Sequence, residues 1–331
     1  MLPAVEALIE RDTAGSPVDD GLRWTNRSPA DLTEELQDQG FQIAVDALRR
    51  ILFDELGLSR RAAFKDEAAC HYEHRDEQFQ HIAKLRARFE RQEWPVLSID
   101  TKKKEILGNF HHPGRAITNG RVRVQDHDFV NAQQRLVPYG VFDTVRNEGL
   151  MYLARGADTC ELACDAIWRW WQRLGKRHYQ FAPQLLLLCD CGGSNGNRQH
   201  RFKEELCHLA RDLMCDIRVA HYPPGCSKYN PIEHRLFCHV SRALRAVVLK
   251  TIEIAKHFIG RTRTAFDLRV IAEIARRTYR KGRHSNNPIA TLEKLSLEKT
   301  SLGAFNAVAY TSVGTESQRW LVSLLFRSGN K

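Results

Sequence analysis

The chain has 331 residues, of which 43% are apolar and 27% are charged, and 50 lysines and arginines outnumber 40 aspartates and glutamates. This balance is typical of a soluble globular protein with two or three cores and excludes a disordered or collagen-like chain. The longest apolar runs, such as Leu185 to Cys189, are far shorter than the roughly 18 residues of a membrane-spanning helix, and the N-terminus lacks an export signal. The sequence therefore predicts a cytoplasmic protein without a membrane partner.

Positive charge is concentrated in the second part of the chain. Residues 1–95 carry 13 basic and 19 acidic side chains, whereas residues 96–331 carry 37 basic and 21 acidic ones. The net charge changes from −6 to +16 between these parts, within an overall formal charge of +10. A basic surface favours a polyanion as partner, and we expect that surface in the second part.

The nine cysteines are predicted to be reduced thiols, because disulfides are rare in cytosolic proteins and the count is odd. Spacings such as Cys160/Cys164 and Cys189/Cys191 invite a zinc interpretation, but no Cys/His set with zinc-finger spacing occurs. Buried structural thiols are the favoured interpretation.

Two short helices are predicted near the N-terminus. Ser28 can cap the first, with Asp31 completing a capping box, and an amphipathic helix follows within residues 43–55. The pair is either a helix-turn-helix that presents Arg49 and Arg50 to DNA or an ordinary αα-hairpin. The acidic character of this region favours the hairpin.

From Trp94 onward, the hydrophobic pattern changes from helical to strand-like periodicity, after a connector helix predicted at residues 75–91. The next helix is predicted to begin after Asp158, with Glu161 completing a capping box. The predicted strands cover residues 96–100 and 105–110 (joined as a hairpin), 139–146, 149–155, 184–189 and 216–221, and further helices cover residues 159–174, 197–213 and 231–248. Three antiparallel strands, a helix, and two strands alternating with helices form the ribonuclease H-like plan.

The predicted fold class is therefore α/β, a ribonuclease H-like mixed sheet flanked by helices and preceded by a small all-α N-terminal region. The predicted domains are an N-terminal segment at 1–27, a helical region at 28–93, the catalytic domain at 94–250 and a basic helical extension at 251–331.

Three carboxylates lie at the ends of predicted elements: Asp100 closes a strand, Asp190 follows the most apolar strand, and Glu233 lies in the first turn of a helix. Ligand sites in α/β sheets collect at strand ends, and converging carboxylates are tolerated mainly when cations neutralise them. Such oxygen ligands select Mg²⁺ or Mn²⁺. Each residue also has a structural interpretation, since aspartates often begin turns and an acidic side chain stabilises a helix N-terminus.

The residues around these carboxylates form the motifs SIDTKKKE, LLLLCDCGGSNGNR and HYPPGCSKYNPIEHRLFCHVS, preceded by HRDEQF at His74–Phe79. In order and spacing they resemble the DDE transposases of bacterial insertion sequences, closest to the ISAzo-type, or Rhodopirellula-type, DDE family. The resemblance covers about residues 22–297. It implies that Asp100, Asp190 and Glu233 are the catalytic and metal-binding triad of a ribonuclease H-like domain. The cysteines that flank Asp190 depart from the usual second motif.

The resemblance also implies the reaction, a metal-dependent hydrolysis at the element ends followed by strand transfer to target DNA with two Mg²⁺ or Mn²⁺ ions. The implied partners are double-stranded DNA, as terminal repeats and as target, and a second copy of the chain in a dimer, acting at the nucleoid. Two alternatives stay open: a catalytically inactive or truncated DNA-binding remnant, and another ribonuclease H-like nuclease.

Basic and polar residues near the triad are candidate DNA contacts. They are Lys102, Lys103, Lys104, Arg115, Arg121, Arg123, Asn195, Arg198, Lys228, Asn230, Arg235, Arg276, Arg277 and Arg280. The last three belong to residues 261–283, a segment with eight basic and two acidic residues that is predicted to form a helix or helical pair. A merely solvated charged face is the alternative for such runs.

Overall fold

The computed structural model describes residues 1–12, 25–60, 74–126, 134–196, 199–282, 295–296 and 306–309. The chain divides into two compact units, Met1–Glu67 and Ala68–Lys331. The candidate contact Arg198 lies outside the described residues. Over the described ranges, no helix is both long and apolar enough to cross a membrane.

The described residues of the first unit form three helices. These are α1 (Leu2–Asp12), α2 (Pro29–Asp38) and α3 (Val45–Arg50), the last continued by a π-helical turn at Ile51–Glu55. The predicted capping box is confirmed, because the Asp31 N–H donates to Ser28 Oγ (3.2 Å) and the Ser28 N–H donates to Asp31 Oδ2 (3.0 Å). An all-α organisation of this whole region stays a prediction, because residues 13–24 and 61–73 lie outside the described ranges.

The second unit contains a mixed sheet and six helices among its described residues. The strands are β1 (Val96–Thr101), β2 (Glu105–Leu107), β3 (Gln134–Asp143), β4 (Glu148–Gly156), β5 (Gln184–Cys189), β6 (Asp216–His221), β7 (Arg269–Tyr279), β8 (Leu295–Ser296) and β9 (Asn306–Ala309). The helices are α4 (Arg75–Arg91), α5 (Cys160–Trp170), α6 (Lys176–Tyr179), α7 (His200–Leu213), α8 (Cys238–Ala243) and α9 (Ile252–Gly260). The predicted bounds of α4, β5 and β6 are confirmed.

The strand order is β7-β4-β3-β1-β5-β6-β9-β8, with β2 beside β3. Strand β3 is antiparallel to both β1 and β4, whereas β5 is parallel to both β1 and β6. This is the predicted ribonuclease H-like plan. Helix α5 connects β4 to β5 and helix α7 connects β5 to β6, so the connections cross over the sheet.

The central strand β5 explains how the sheet is covered. Its side chains Leu185 and Leu187 pack in the same apolar cluster as residues of α5 and α7. The alternate side chains Leu186 and Leu188 pack in a second cluster with α4, including Phe89. Because successive side chains of a strand point to opposite faces, helices cover both faces of the sheet, as the continuous apolar run predicts.

The predicted hairpin between the first two strands is wrong. Strands β1 and β2 do not pair with each other. Both pair with β3, and β2 pairs with a different part of it, through Glu105 and Leu136. Between the two strands, the Lys102 N–H donates to the Pro138 carbonyl (2.9 Å), so the chain continues along β3 instead of reversing.

The predicted helix or helical pair at residues 261–283 is also wrong over most of that range. Residues 269–279 form β7, which extends the sheet by pairing in parallel with β4. Alternate positions such as Val270 and Ala272 are buried, and the β-branched side chains of this segment suit a strand. The preceding helix α9 ends at Gly260.

Candidate active site

Two of the three candidate catalytic carboxylates lie at the ends of neighbouring parallel strands. Ser98 of β1 pairs with Leu188 of β5, and the same register two residues later places Asp100 beside Asp190. Both aspartates line one open cavity of about 410 Å³ at this edge of the sheet. The edge is the one at which ligand sites of α/β sheets form.

The third carboxylate is positioned by a buried hydrogen-bond network around Ser98. The Ile232 N–H donates to Ser98 Oγ (2.9 Å), and the Ser98 hydroxyl donates to Asn230 Oδ1. The Asn230 side-chain amide donates to the Ile99 carbonyl (3.3 Å). Ser98 and Asn230 are both fully buried. We call this network the Ser98–Asn230 clamp. It attaches the start of the π-helical turn Glu233–Phe237, which continues into α8 and is called the Glu233 helix, to the strand that carries Asp100.

Burial and mutual repulsion dominate the electrostatics of the triad. Burial, followed by the charges of Asp190, Glu233 and Asp158, raises the pKa of Asp100 to about 8. Burial is also the largest cause of the raised pKa of Asp190, to which the Asp158 and Glu233 charges add. Burial raises the pKa of Glu233, and a hydrogen bond with Asp100 opposes that rise. The three predicted residues are therefore close enough to affect one another.

A fourth carboxylate, Asp158, lines the same cavity, although the sequence pattern marks it only as a helix start. The predicted capping arrangement is wrong, because Thr159 caps α5 by accepting the Leu162 N–H (3.3 Å). Asp158 Oδ1 instead accepts hydrogen bonds from Thr101 Oγ1 (3.0 Å) and Ser194 Oγ (2.8 Å). The feature of the sequence that points to Asp158 is its position between a strand and the true N-cap, Thr159.

The donor atoms that line this cavity indicate whether it fits a divalent cation. Among the described residues, no group of three or more His, Cys, Asp or Glu side chains is arranged to hold a metal ion. The cavity nevertheless offers the carboxylates of Asp100, Asp158 and Asp190, with Glu233 hydrogen-bonded to the first. Oxygen-only donors are those that Mg²⁺ and Mn²⁺ prefer. After burial, the charges of neighbouring carboxylates contribute to the raised pKa values of Asp100 and Asp190, and a bound cation would offset that repulsion.

The motif HRDEQF is connected to the site through α4. Fully buried Gln78 donates to the His221 carbonyl (2.8 Å), and the His221 ring is hydrogen-bonded to the Asn195 carbonyl (2.8 Å). The Arg75 guanidinium lies 5.5 Å from the Phe79 ring centroid and 5.9 Å from that of Tyr229. Helix α4 therefore supports the loops that carry the second and third motifs.

Most of the predicted DNA contacts that the structure describes are exposed. The exposed ones are Lys103, Lys104, Arg115, Arg121, Arg123, Lys228, Arg276, Arg277 and Arg280. Arg277 is also paired with Asp165 (2.7 Å) on α5. Lys102 is largely buried and forms an ion pair with Glu105, although it lines the cavity.

Three predicted DNA contacts form bonds within the protein. Asn230 is fully buried in the Ser98–Asn230 clamp and Asn195 is only 2% exposed, so neither side chain lies on the surface. Their contact with DNA stays a prediction. Arg235 donates to the Thr144 carbonyl (3.0 Å) and to Asn147 Oδ1 (3.3 Å). Its guanidinium also stacks on a phenylalanine ring, with 4.9 Å between guanidinium and ring centroid. These contacts hold the Arg235 side chain against the sheet.

One family model and several solved structures match this chain. The model of the family described as Rhodopirellula transposase DDE domain matches residues 4–309. No curated protein is significantly similar in sequence. Among solved structures, the Mos1 transposase paired-end complex with left transposon end has a TM-score of 0.43 and 13% identity over 78% of this chain and 69% of that chain. The Mos1 strand transfer complex has a TM-score of 0.42 and 12% identity over 78% and 69%. Structural similarity at this level carries no functional argument.

Proposed function

This chain belongs to the Rhodopirellula transposase DDE-domain family, and we propose that it hydrolyses a phosphodiester at insertion-sequence ends and joins the freed 3′-hydroxyl to target DNA. The observation that carries the proposal is the convergence of Asp100, Asp190 and Glu233, each from a different motif, at one edge of a ribonuclease H-like sheet. Both reactions are displacements at phosphorus, so one site serves both.

In this proposal Asp100, Asp190 and Glu233 hold two Mg²⁺ or Mn²⁺ ions. When bound, such ions activate water or a 3′-hydroxyl and stabilise the leaving oxygen of a phosphodiester. The protein's own contribution is positioning. The Ser98–Asn230 clamp holds the Glu233 helix on β1 through neutral hydrogen bonds, so its geometry does not depend on the charge state of the carboxylates.

Double-stranded DNA is the proposed partner, as terminal repeat and as target. Exposed Lys103 and Lys104 line the cavity three and four residues after Asp100 and are placed to neutralise phosphates of the reacting strand. Transposition joins two ends to one target, and we therefore propose that the protein acts as a dimer.

The test is cleavage of a linear DNA that carries the sequences flanking the coding region, in Mg²⁺ or Mn²⁺, followed by detection of joined products. Wild-type protein is expected to nick the ends, while Asp190→Asn lowers the rate by about a thousandfold or more, since the charge of a direct cation ligand is lost. Asp212→Asn, an exposed carboxylate on α7, is the matched control and keeps wild-type activity.

Three results would contradict the proposal. Equal nicking by wild type and Asp190→Asn would show that the activity arises elsewhere. DNA binding without any nicking would favour the inactive remnant. Preferential cleavage of an RNA–DNA hybrid of the same sequence would favour the other kind of ribonuclease H-like nuclease.

A further inference from the structure

Asp158 lies between the end of β4 and the N-cap of α5, at the same sheet edge as the triad. Its two hydroxyl partners are neighbours of triad residues in sequence. Thr101 directly follows Asp100, and Ser194 lies in the loop after Asp190. Asp158 therefore connects the two chain segments that carry the paired aspartates.

Both of these hydrogen bonds end on one oxygen, Oδ1. The other oxygen, Oδ2, faces the loop that follows Asp190, since a Cβ at Gly193 would lie 3.9 Å from it. That loop lines the cavity, as does Asp158 itself. Oδ2 thus lies beside a loop that forms part of the cavity lining.

The common structural reason for an aspartate at this position does not apply. An aspartate before a helix usually accepts an N–H of the first turn, but here the Thr159 hydroxyl caps α5. Asp158 also lines the same cavity as Asp100 and Asp190, and its bonds to Thr101 and Ser194 place it beside both. A further carboxylate in this place adds negative charge that a bound cation would offset.

We infer that Asp158 is a fourth carboxylate of the cation pocket, using Oδ1 to align the segments of Asp100 and Asp190 and Oδ2 to contribute negative charge toward a bound divalent cation. This inference rests on the proposed function, because that function provides the cation.

The test measures binding of Mn²⁺ alone to the full chain by calorimetry, together with melting temperature with and without Mn²⁺. Asp158→Asn keeps an oxygen that accepts both hydroxyls but removes the charge. We expect its Mn²⁺ affinity to fall by about 10- to 100-fold, the range known for residues that support metal ligands. The melting temperature without metal is expected to stay equal or rise, because one repelling charge is gone. A purely structural role predicts a lower melting temperature instead.

Two variants make the result specific. Asp158→Glu keeps the charge and is expected to bind Mn²⁺ more tightly than Asp158→Asn. Asp212→Asn removes an exposed carboxylate and is expected to match wild type. Wild-type affinity in Asp158→Asn, or equal losses in the Asn and Glu variants, would overturn the inference.

A parallel measurement on Asp190→Asn separates this inference from the proposed function. If Asp190→Asn abolishes Mn²⁺ binding while Asp158→Asn leaves it unchanged, only the role of Asp158 is refuted. If wild-type protein does not bind Mn²⁺ at all, both the inference about Asp158 and the proposed function are refuted.

Discussion

Ser98 and Asn230 are separated by 132 residues in sequence, yet their fully buried side chains share a hydrogen bond beneath the proposed catalytic site. The same Ser98 hydroxyl oxygen accepts the Ile232 N–H (2.9 Å). One small side chain on β1 therefore satisfies two polar groups at the start of the Glu233 helix. Buried polar groups of this kind are costly when one partner is removed.

Ser98→Ala is expected to destabilise the protein and to impair catalysis. The substitution leaves Asn230 Oδ1 and the Ile232 N–H without this partner, at a cost of about 1–3 kcal/mol for each buried group left unsatisfied. Urea unfolding measures the loss of stability, and DNA nicking under conditions where the variant is fully folded measures displacement of Glu233. Ser227→Ala, in the exposed turn before Asn230, is the matched control and stays near wild type. A Ser98→Ala protein with unchanged nicking would refute the positioning role of the clamp.

Gly140→Ala tests how closely the Glu233 helix approaches the sheet. Gly140 pairs with Asp100 across β1 and β3, and a Cβ there would lie 2.5 Å from Phe237 Cε1 and 2.7 Å from Ile232 Cδ1. Overpacking of this kind costs about 1–3 kcal/mol, and the helix must shift away from Asp100. We expect a lower unfolding midpoint and slower nicking.

A matched control for this substitution is Gly120→Ala, where nothing lies within 4 Å of the added Cβ. Its stability and nicking rate should equal those of wild type. The double variant Gly140→Ala with Phe237→Leu should recover part of the lost stability, because the smaller side chain relieves the closest contact. No recovery would mean that the clash is not with Phe237.

The sequence patterns predict elements whose local periodicity and burial agree. The apolar run of β5 is continuous because helices cover both of its faces, and α4 shows helical spacing because only one side of it, including Ile82 and Phe89, is buried. The grouping of Asp100, Asp190 and Glu233 was predicted from the resemblance of their motifs to one transposase family, because an acidic residue at an element end is common and indicates little alone.

Other features depend on contacts that local patterns do not contain. The segment of β7 has apolar residues at spacings that suit a helix, and only its pairing with β4 makes it a strand. Asn230 looks like a polar loop residue until its partner Ser98 is known. Asp158 resembles a helix cap because the competing cap, Thr159, follows directly.

Metal-free protein is expected to lose stability as the pH rises toward 8. The pKa of Asp100 is about 8 in the folded protein, above the usual value of 3.8, so folding favours its protonated form. The resulting stabilisation is complete below the unfolded pKa, declines as the pH rises, and is lost above the folded pKa. Asp100→Asn removes this dependence, so its melting temperature in a chelator should exceed that of wild type most at pH 9. If the melting temperatures of wild type and Asp100→Asn change with pH in parallel from pH 5 to 9, the raised pKa is contradicted.

The exposed lysines beside the cavity are expected to contribute to DNA affinity by charge alone. Lys103→Ala combined with Lys104→Ala removes two cations from the cavity lining. We expect weaker binding to any duplex and a salt dependence of log K that becomes shallower by about 0.9 for each phosphate that is no longer neutralised. Fluorescence anisotropy at several salt concentrations measures both quantities. Lys256→Ala, an exposed lysine on α9, is the matched control. If it reduces the salt slope as much as a single cavity lysine does, the basic surface acts through overall charge and the DNA is not localised at the cavity.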